Sequence, residues 1–156
     1  MKKYKGSALV YVIVALVFAT ILGVSIATMT QSNILQARYQ KENREGYYLA
    51  RSGAELMYEH LKENRLMRYF IDSNTISGAE FTDYEFSEDM NGKVDVTVSA
   101  VEVVGSLNKI VTIESRAKLD NSNNEELLKL RFELVISEKE TGKGIDAIKD
   151  FKWERQ

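Results

Sequence analysis

The chain contains no cysteine and no proline, and only one histidine and one tryptophan in 156 residues. Without cysteine no disulfide can staple an exported domain, although small exported domains often depend on such staples. That leaves a reducing or anaerobic setting, or a fold steadied by its neighbours. Without proline, a very long helix meets no obligatory break. His60 has no cysteine or second histidine as company, so it reads as an ordinary surface or half-buried helix residue rather than a zinc ligand. No glycine-rich phosphate loop and no serine in a nucleophile-elbow context occur. Acids and bases alternate along the chain rather than cluster, which leaves no nucleic-acid footprint. The expectation is a protein that is not an enzyme, with no cofactor and no metal.

One further absence organises the rest. Between Ala8 and Met29 there is no charged residue. As a helix rising 1.5 Å per residue this stretch is about 33 Å long, close to the roughly 30 Å of a bilayer core. A helix satisfies its own backbone and can cross lipid alone. Thr20, Ser25 and Thr28 can bond to carbonyls one turn back. Lys2, Lys3 and Lys5 precede the span, which places the N-terminus in the cytoplasm and the remainder outside. A secretory signal is the rival reading, because Ser25-Ile26-Ala27 has the small-x-small form of a cleavage site. Against it, the apolar run exceeds the usual length of about 7–15 residues, and the helical pattern continues beyond Ala27.

Residues 31–70 read as an extension of the same helix. Leu35, Glu42, Gly46, Leu49, Ala50, Gly53, Ala54, Met57 and Leu61 mostly recur at three- and four-residue steps. The middle of this stripe, Gly46, Ala50, Gly53 and Ala54, is small enough for another backbone to approach closely. Each glycine there costs about 1 kcal/mol of helix stability against alanine, so a tight cover is expected. Tyr39, Tyr47, Tyr48 and Tyr58 flank the stripe and edge a core or a subunit contact. With no breaker between the segments, one helix of roughly 90 Å is predicted from Ser7 to Arg68. Asp72-Ser73-Asn74 and Gly78 mark its stop and the following turn.

Ala79 to Asn91 is acidic, with Phe81, Tyr84 and Phe86 interspersed, and reads as an edge strand or a covering loop. Its spacing matches no calcium loop. The period then becomes two. Val94, Val96, Val98 and Ala100 alternate with polar residues, and a change of phase to Val101 and Val103 predicts a bulge. Gly105-Ser106-Leu107-Asn108 reads as a hairpin connection. Val111, Ile113, Ala117 and Leu119 form a second strand. The turn from Asp120 to Asn124 lacks the glycine and the correctly placed glutamate of an EF-hand loop. Leu128, Leu130, Phe132, Leu134 and Ile136 form a third strand. Three strands with one apolar face each predict an antiparallel sheet, with the helix stripe as its cover. Residues 138–156 are polar with a flexible start at Gly142 and Gly144. They end in a short closing strand, Phe151-Lys152-Trp153, with Trp153 as a packing anchor. The expected class is α+β, a long N-terminal helix packed on a small antiparallel sheet. Its parts are a basic leader (1–6), a membrane or filament-core helix (7–30), a helix extension (31–70) and an extracytoplasmic head (71–156).

The N-terminal module resembles that of type IV pilin-like proteins, more specifically the pseudopilin-like PilX/PilV-type minor pilins, which include many Gram-positive members. Gly6-Ser7-Ala8-Leu9 ahead of the apolar run carries the likeness, together with Tyr48-Leu49-Ala50-Arg51-Ser52-Gly53-Ala54-Glu55. It covers about residues 1–62, and the head is similar in architecture only. The resemblance implies cleavage by a prepilin peptidase between Gly6 and Ser7 and methylation of the new amine. It implies passage from the cytoplasmic membrane, through an assembly platform, into a cell-surface filament with other pilins or minor pilins. Losing Lys2, Lys3 and Lys5 takes the formal charge from −2 to −5. One departure stands out. Most pilins carry a glutamate five residues into the mature chain, whereas this chain has Tyr11. A free ammonium in an apolar core is costly without a partner, so the implied place is the tip or the initiating complex. Pilus, secretion pump and DNA uptake all remain open. So do two other classes: a single-pass surface protein whose head binds a ligand without polymerising, and a secreted domain released after Ala27.

Overall fold

A computed structural model describes residues 5–76, 79–86, 92–120, 122, 124–139 and 142–155. The chain divides into two compact units, residues 1–41 and 42–156. Helix α1 (Lys5–Glu63) contributes to both, and each unit is described by itself. Met1 to Tyr4 of the leader, Gly78 and residues 87–91 of the acidic stretch lie outside the described residues, as do Asn121 and Asn123 of the turn.

In the first unit the helix makes no tertiary contact that buries it. Every residue from Ala8 to Lys41 is exposed. This helix is long and apolar enough to cross a membrane, and none of its apolar window is buried. It fits a single-pass membrane protein. Leu35, expected on the buried stripe, is 54% exposed.

In the second unit the remaining turns of α1 lie on a five-stranded antiparallel sheet, β1 (Glu80–Tyr84), β2 (Gly92–Glu102), β3 (Lys109–Leu119), β4 (Glu125–Lys139) and β5 (Gly142–Arg155), in sequential order. The buried helix positions are Gly46, Leu49, Ala50, Gly53, Ala54, Met57 and Leu61. They recur at the helical period because only one face meets the sheet. Each central strand points alternate residues at that face: Val94 and Val96 on β2, Val111, Ile113, Ser115 and Ala117 on β3, Leu128 to Ile136 on β4. Burying a large aliphatic or aromatic side chain contributes about 1.5–3 kcal/mol, so this single layer supplies most of the cohesion of the unit.

Four expectations need correction. The helix stops at Glu63, well before Asp72. Asn64 Nδ2 donates to the His60 carbonyl at 3.0 Å, and Arg65 adopts a left-handed backbone with φ 54°. A 3-10 helix (Leu66–Ile71) follows and tucks Met67 and Phe70 into the core; those buried side chains gave the segment its helix-like pattern. No bulge follows Ala100, since β2 and β3 pair without a break from Gly92↔Leu119 to Glu102↔Lys109. Val101 instead faces outward, 64% exposed, opposite Ile110. The bulges fall between Phe81 and Tyr84, Arg131 and Glu133, and Val135 and Ile136. The short closing strand is a 14-residue edge strand that begins at Gly142. Its lysines and aspartates suit an unpaired edge, and they hide the period of two. Trp153 is 38% exposed rather than a buried anchor.

Candidate functional site: the apolar span and the small-residue seam

The span presents an all-round apolar surface that has no need of water. The serine and threonine hydroxyls from Thr20 to Thr30 are turned back onto the helix: Thr20 donates to Val17 O at 2.8 Å, Ser25 to Ile21 O at 2.8 Å, Thr28 to Val24 O at 2.6 Å and Thr30 to Ile26 O at 2.9 Å. The twelve Leu, Val, Ile and Phe residues between Ala8 and Met29 favour insertion by about 0.3–0.6 kcal/mol each, roughly 4–7 kcal/mol together. Gly6 and Ser7 lie within the helix, one and two residues from its start at Lys5. Tyr11, at the position where the acid was expected, is 73% exposed.

A stripe missed in the sequence reading runs along this span. Ala15, Ala19, Gly23 and Ala27 recur every four residues, the small-xxx-small spacing through which lipid-embedded helices approach one another. A Cβ added at Gly23 would meet nothing within 4 Å. The signal was legible, but the apolar run around it masked the spacing.

The second small stripe is occupied. A Cβ on Gly53 would lie 2.5 Å from Val94 Cγ1 and 2.7 Å from Ser115 Oγ. Separations this short do not occur between real side chains, so the helix comes as close to β2 and β3 as a glycine permits. A Cβ on Gly46 would sit 3.2 Å from Glu126 Cγ, and Ala50 and Ala54 are fully buried. All four residues therefore line the seam within the second unit, against the sheet of the same chain. Ser115 Oγ is buried there without a hydrogen-bond partner.

Two arginines close the flank between helix and edge strand. Arg51 donates from Nε to Glu55 Oε1 at 2.8 Å and lies over the Trp153 ring at 5.3 Å. The hydrogen bond to Glu55, helped by its charge, holds the Arg51 guanidinium above its ordinary pKa. Arg155 lies over Tyr47 at 5.6 Å and pairs with Glu126. Tyr58 meets both Phe132 and Phe151 edge-on, at 5.5 and 5.4 Å. Tyr39 and Tyr48 are exposed.

On the opposite edge, Lys93 reaches Glu85 at 3.3 Å and Asp83 at 4.0 Å. The Glu85 hydrogen bond and then the Asp83 charge raise its pKa. His60 is half-buried, with Phe81 edge-on at 5.8 Å and Asn64 Nδ2 at 3.1 Å from its Nδ1. Among the described residues no three His, Cys, Asp or Glu side chains converge on a metal position. Lys109 was also missed. It is 4% exposed and donates from Nζ to Ser73 O at 3.2 Å and Asn74 Oδ1 at 3.0 Å, tying the segment after the 3-10 helix to β3. Its parity with Val111 and Ile113 was the available sign that it points inward.

No protein-family model, no curated protein and no solved structure matches this chain.

Proposed function

We propose that this chain is a structural subunit of a type IV pilus or a related secretion-like filament, a minor pilin or pseudopilin held in the cytoplasmic membrane before assembly. The observation that carries this is the uncharged span from Ala8 to Met29, exposed along its whole length, followed in the same helix by turns packed on a sheet. A helix apolar on every side needs lipid or other such helices around it. A filament core supplies the second environment after the membrane has supplied the first. Ala15, Ala19, Gly23 and Ala27 supply a face on which sibling helices pack closely. The leader-like Gly6-Ser7 junction and the Tyr48 to Glu55 patch add the resemblance to pilin-like modules.

In this reading the N-terminus begins in the cytoplasm, the second unit lies outside, and a prepilin peptidase cuts after Gly6. Tyr11 leaves the new amine without the usual carboxylate, which places the subunit at the tip or in the initiating complex. Mass spectrometry of the mature N-terminus tests the reading, with a start at Ser7 as the expected result. An uncut chain overturns it. That outcome favours a single-pass surface protein that does not polymerise, a reading to which the missing acid also lends support. A start at Thr28 also overturns it and makes the span a secretory signal. Regular occurrence along the filament shaft would rule out the tip assignment.

A further inference from the structure

Charge is distributed very unevenly in this chain. All 23 Asp and Glu and 16 of the 21 Lys and Arg lie beyond residue 41, so residues 42–156 carry a formal charge of −7. One concavity in that acidic unit reverses the sign. A groove of about 810 Å³ is lined by Lys62, Arg65, Arg68 and Lys143, with Asp72 as the one acid among the described lining residues. The four cations come from the last turn of α1, the turn after it, the 3-10 helix and the start of β5. The fold therefore gathers in space what the sequence disperses over eighty positions. Lys62 shares its charge with Glu59 at 3.5 Å. Among the described residues, no ion pair or hydrogen bond engages the Arg65, Arg68 or Lys143 side chains.

A helix C-terminus attracts cations through its dipole, which accounts for Lys62 and Arg65. The dipole acts within the last turn and leaves Arg68 and Lys143 unexplained. The backbone at the exit of α1 fixes how Arg65 enters the groove. Arg65 sits at φ 54° and ψ 25°, in the left-handed region. Asp83 and Asp150, the other non-glycine residues with positive φ among the described residues, are of a type that tolerates it. Arginine is not, and glycine would fit that turn without strain.

We propose that this groove binds a multivalent oxyanion of the phosphate class. Guanidinium forks match phosphate oxygens bidentately, and lysine ammoniums add point charge. A phosphate group carries up to two charges and three acceptor oxygens, which suits a cluster of four cations better than a single carboxylate does. The groove is larger than one phosphate group, and Met67 is among its lining residues, which leaves room for a ligand carrying more than one such group.

Isothermal titration of the full chain in nonionic detergent micelles, with tripolyphosphate as probe, tests this at low salt. Saturable binding is expected, with citrate at least about tenfold weaker. R65G is the decisive variant. It should bind tripolyphosphate about tenfold more weakly while raising the unfolding midpoint, because strain is relieved as the guanidinium is lost. R68A/K143A, at exposed positions, should weaken binding at least as much without altering the fold. Failure of the wild-type chain to bind overturns the proposal, and so does unchanged affinity in R65G and R68A/K143A. Equal affinity for citrate overturns the phosphate assignment.

Discussion

Helix α1 offers two regions of one secondary structure that answer to different solvents. From Ala8 to Met29 every face is apolar and exposed; from Gly46 to Leu61 one face is apolar and buried. The backbone is the same in both. What differs is where the small residues sit and what meets them. Gly23 has open space beside it, whereas Gly53 has Val94 and Ser115 within 3 Å of a would-be Cβ. Helix propensity therefore says little about the role of either stretch. The pattern around the helix, one stripe or all sides, says which environment it requires.

The comparison breaks hardest in the core of the second unit. Phe132→Ala removes a ring that is 1% exposed and should cost about 3–5 kcal/mol of stability. Chemical denaturation of the full chain in micelles reads this out, and Leu16→Ala should leave the same transition unmoved. In the first region, Val17→Asp should cost about 3 kcal/mol of insertion. Paired with Leu22→Asp it should exhaust the favourable term and move the chain out of the membrane fraction on sedimentation. The head's unfolding transition should survive intact.

A single substitution type sharpens the contrast. Gly53→Ala forces a methyl into Val94 and should destabilise the second unit by about 2 kcal/mol. Gly23→Ala meets nothing and should strengthen its helix by about 1 kcal/mol. Opposite signs, read by denaturation and by helical circular dichroism respectively, are the expected result. Ser115→Ala deletes an unpartnered buried hydroxyl and should stabilise by about 1 kcal/mol. Effects at the flanks are smallest. Arg51→Ala should lower the unfolding midpoint only slightly, and more at low salt, since its ion pair is exposed. The pairing of Lys93 raises its folded pKa above the unfolded value. Its contribution is thus complete below pH 10.5 and fades as pH rises through the folded value. An alkaline denaturation series on Lys93→Met should show a flatter profile there.

Much of the fold was legible in the sequence, for particular reasons. β2, β3 and β4 each bury one face, so Val94, Val111 and Leu128 stand in a period of two. The span was legible because charge is absent from it. β5 was not, because an edge strand needs no alternation and carries Lys143, Lys149 and Lys152 instead. The helix end was missed because Arg65 occupies a turn position at which glycine is the usual signal. Lys109 broke the apolar pattern from inside the core. The basic groove joins residues 62–72 to 142–145, a juxtaposition that only the pairing of the chain creates.

Hydrogen exchange along α1, with the full chain in lipid nanodiscs, bears most directly on the claim that lipid shelters one region and the sheet the other. Strong amide protection is predicted from Val12 to Ile26 and from Leu49 to Leu61, with faster exchange between Gln31 and Lys41. Exchange from Val12 to Ile26 as fast as at Gln31 to Lys41 would contradict it.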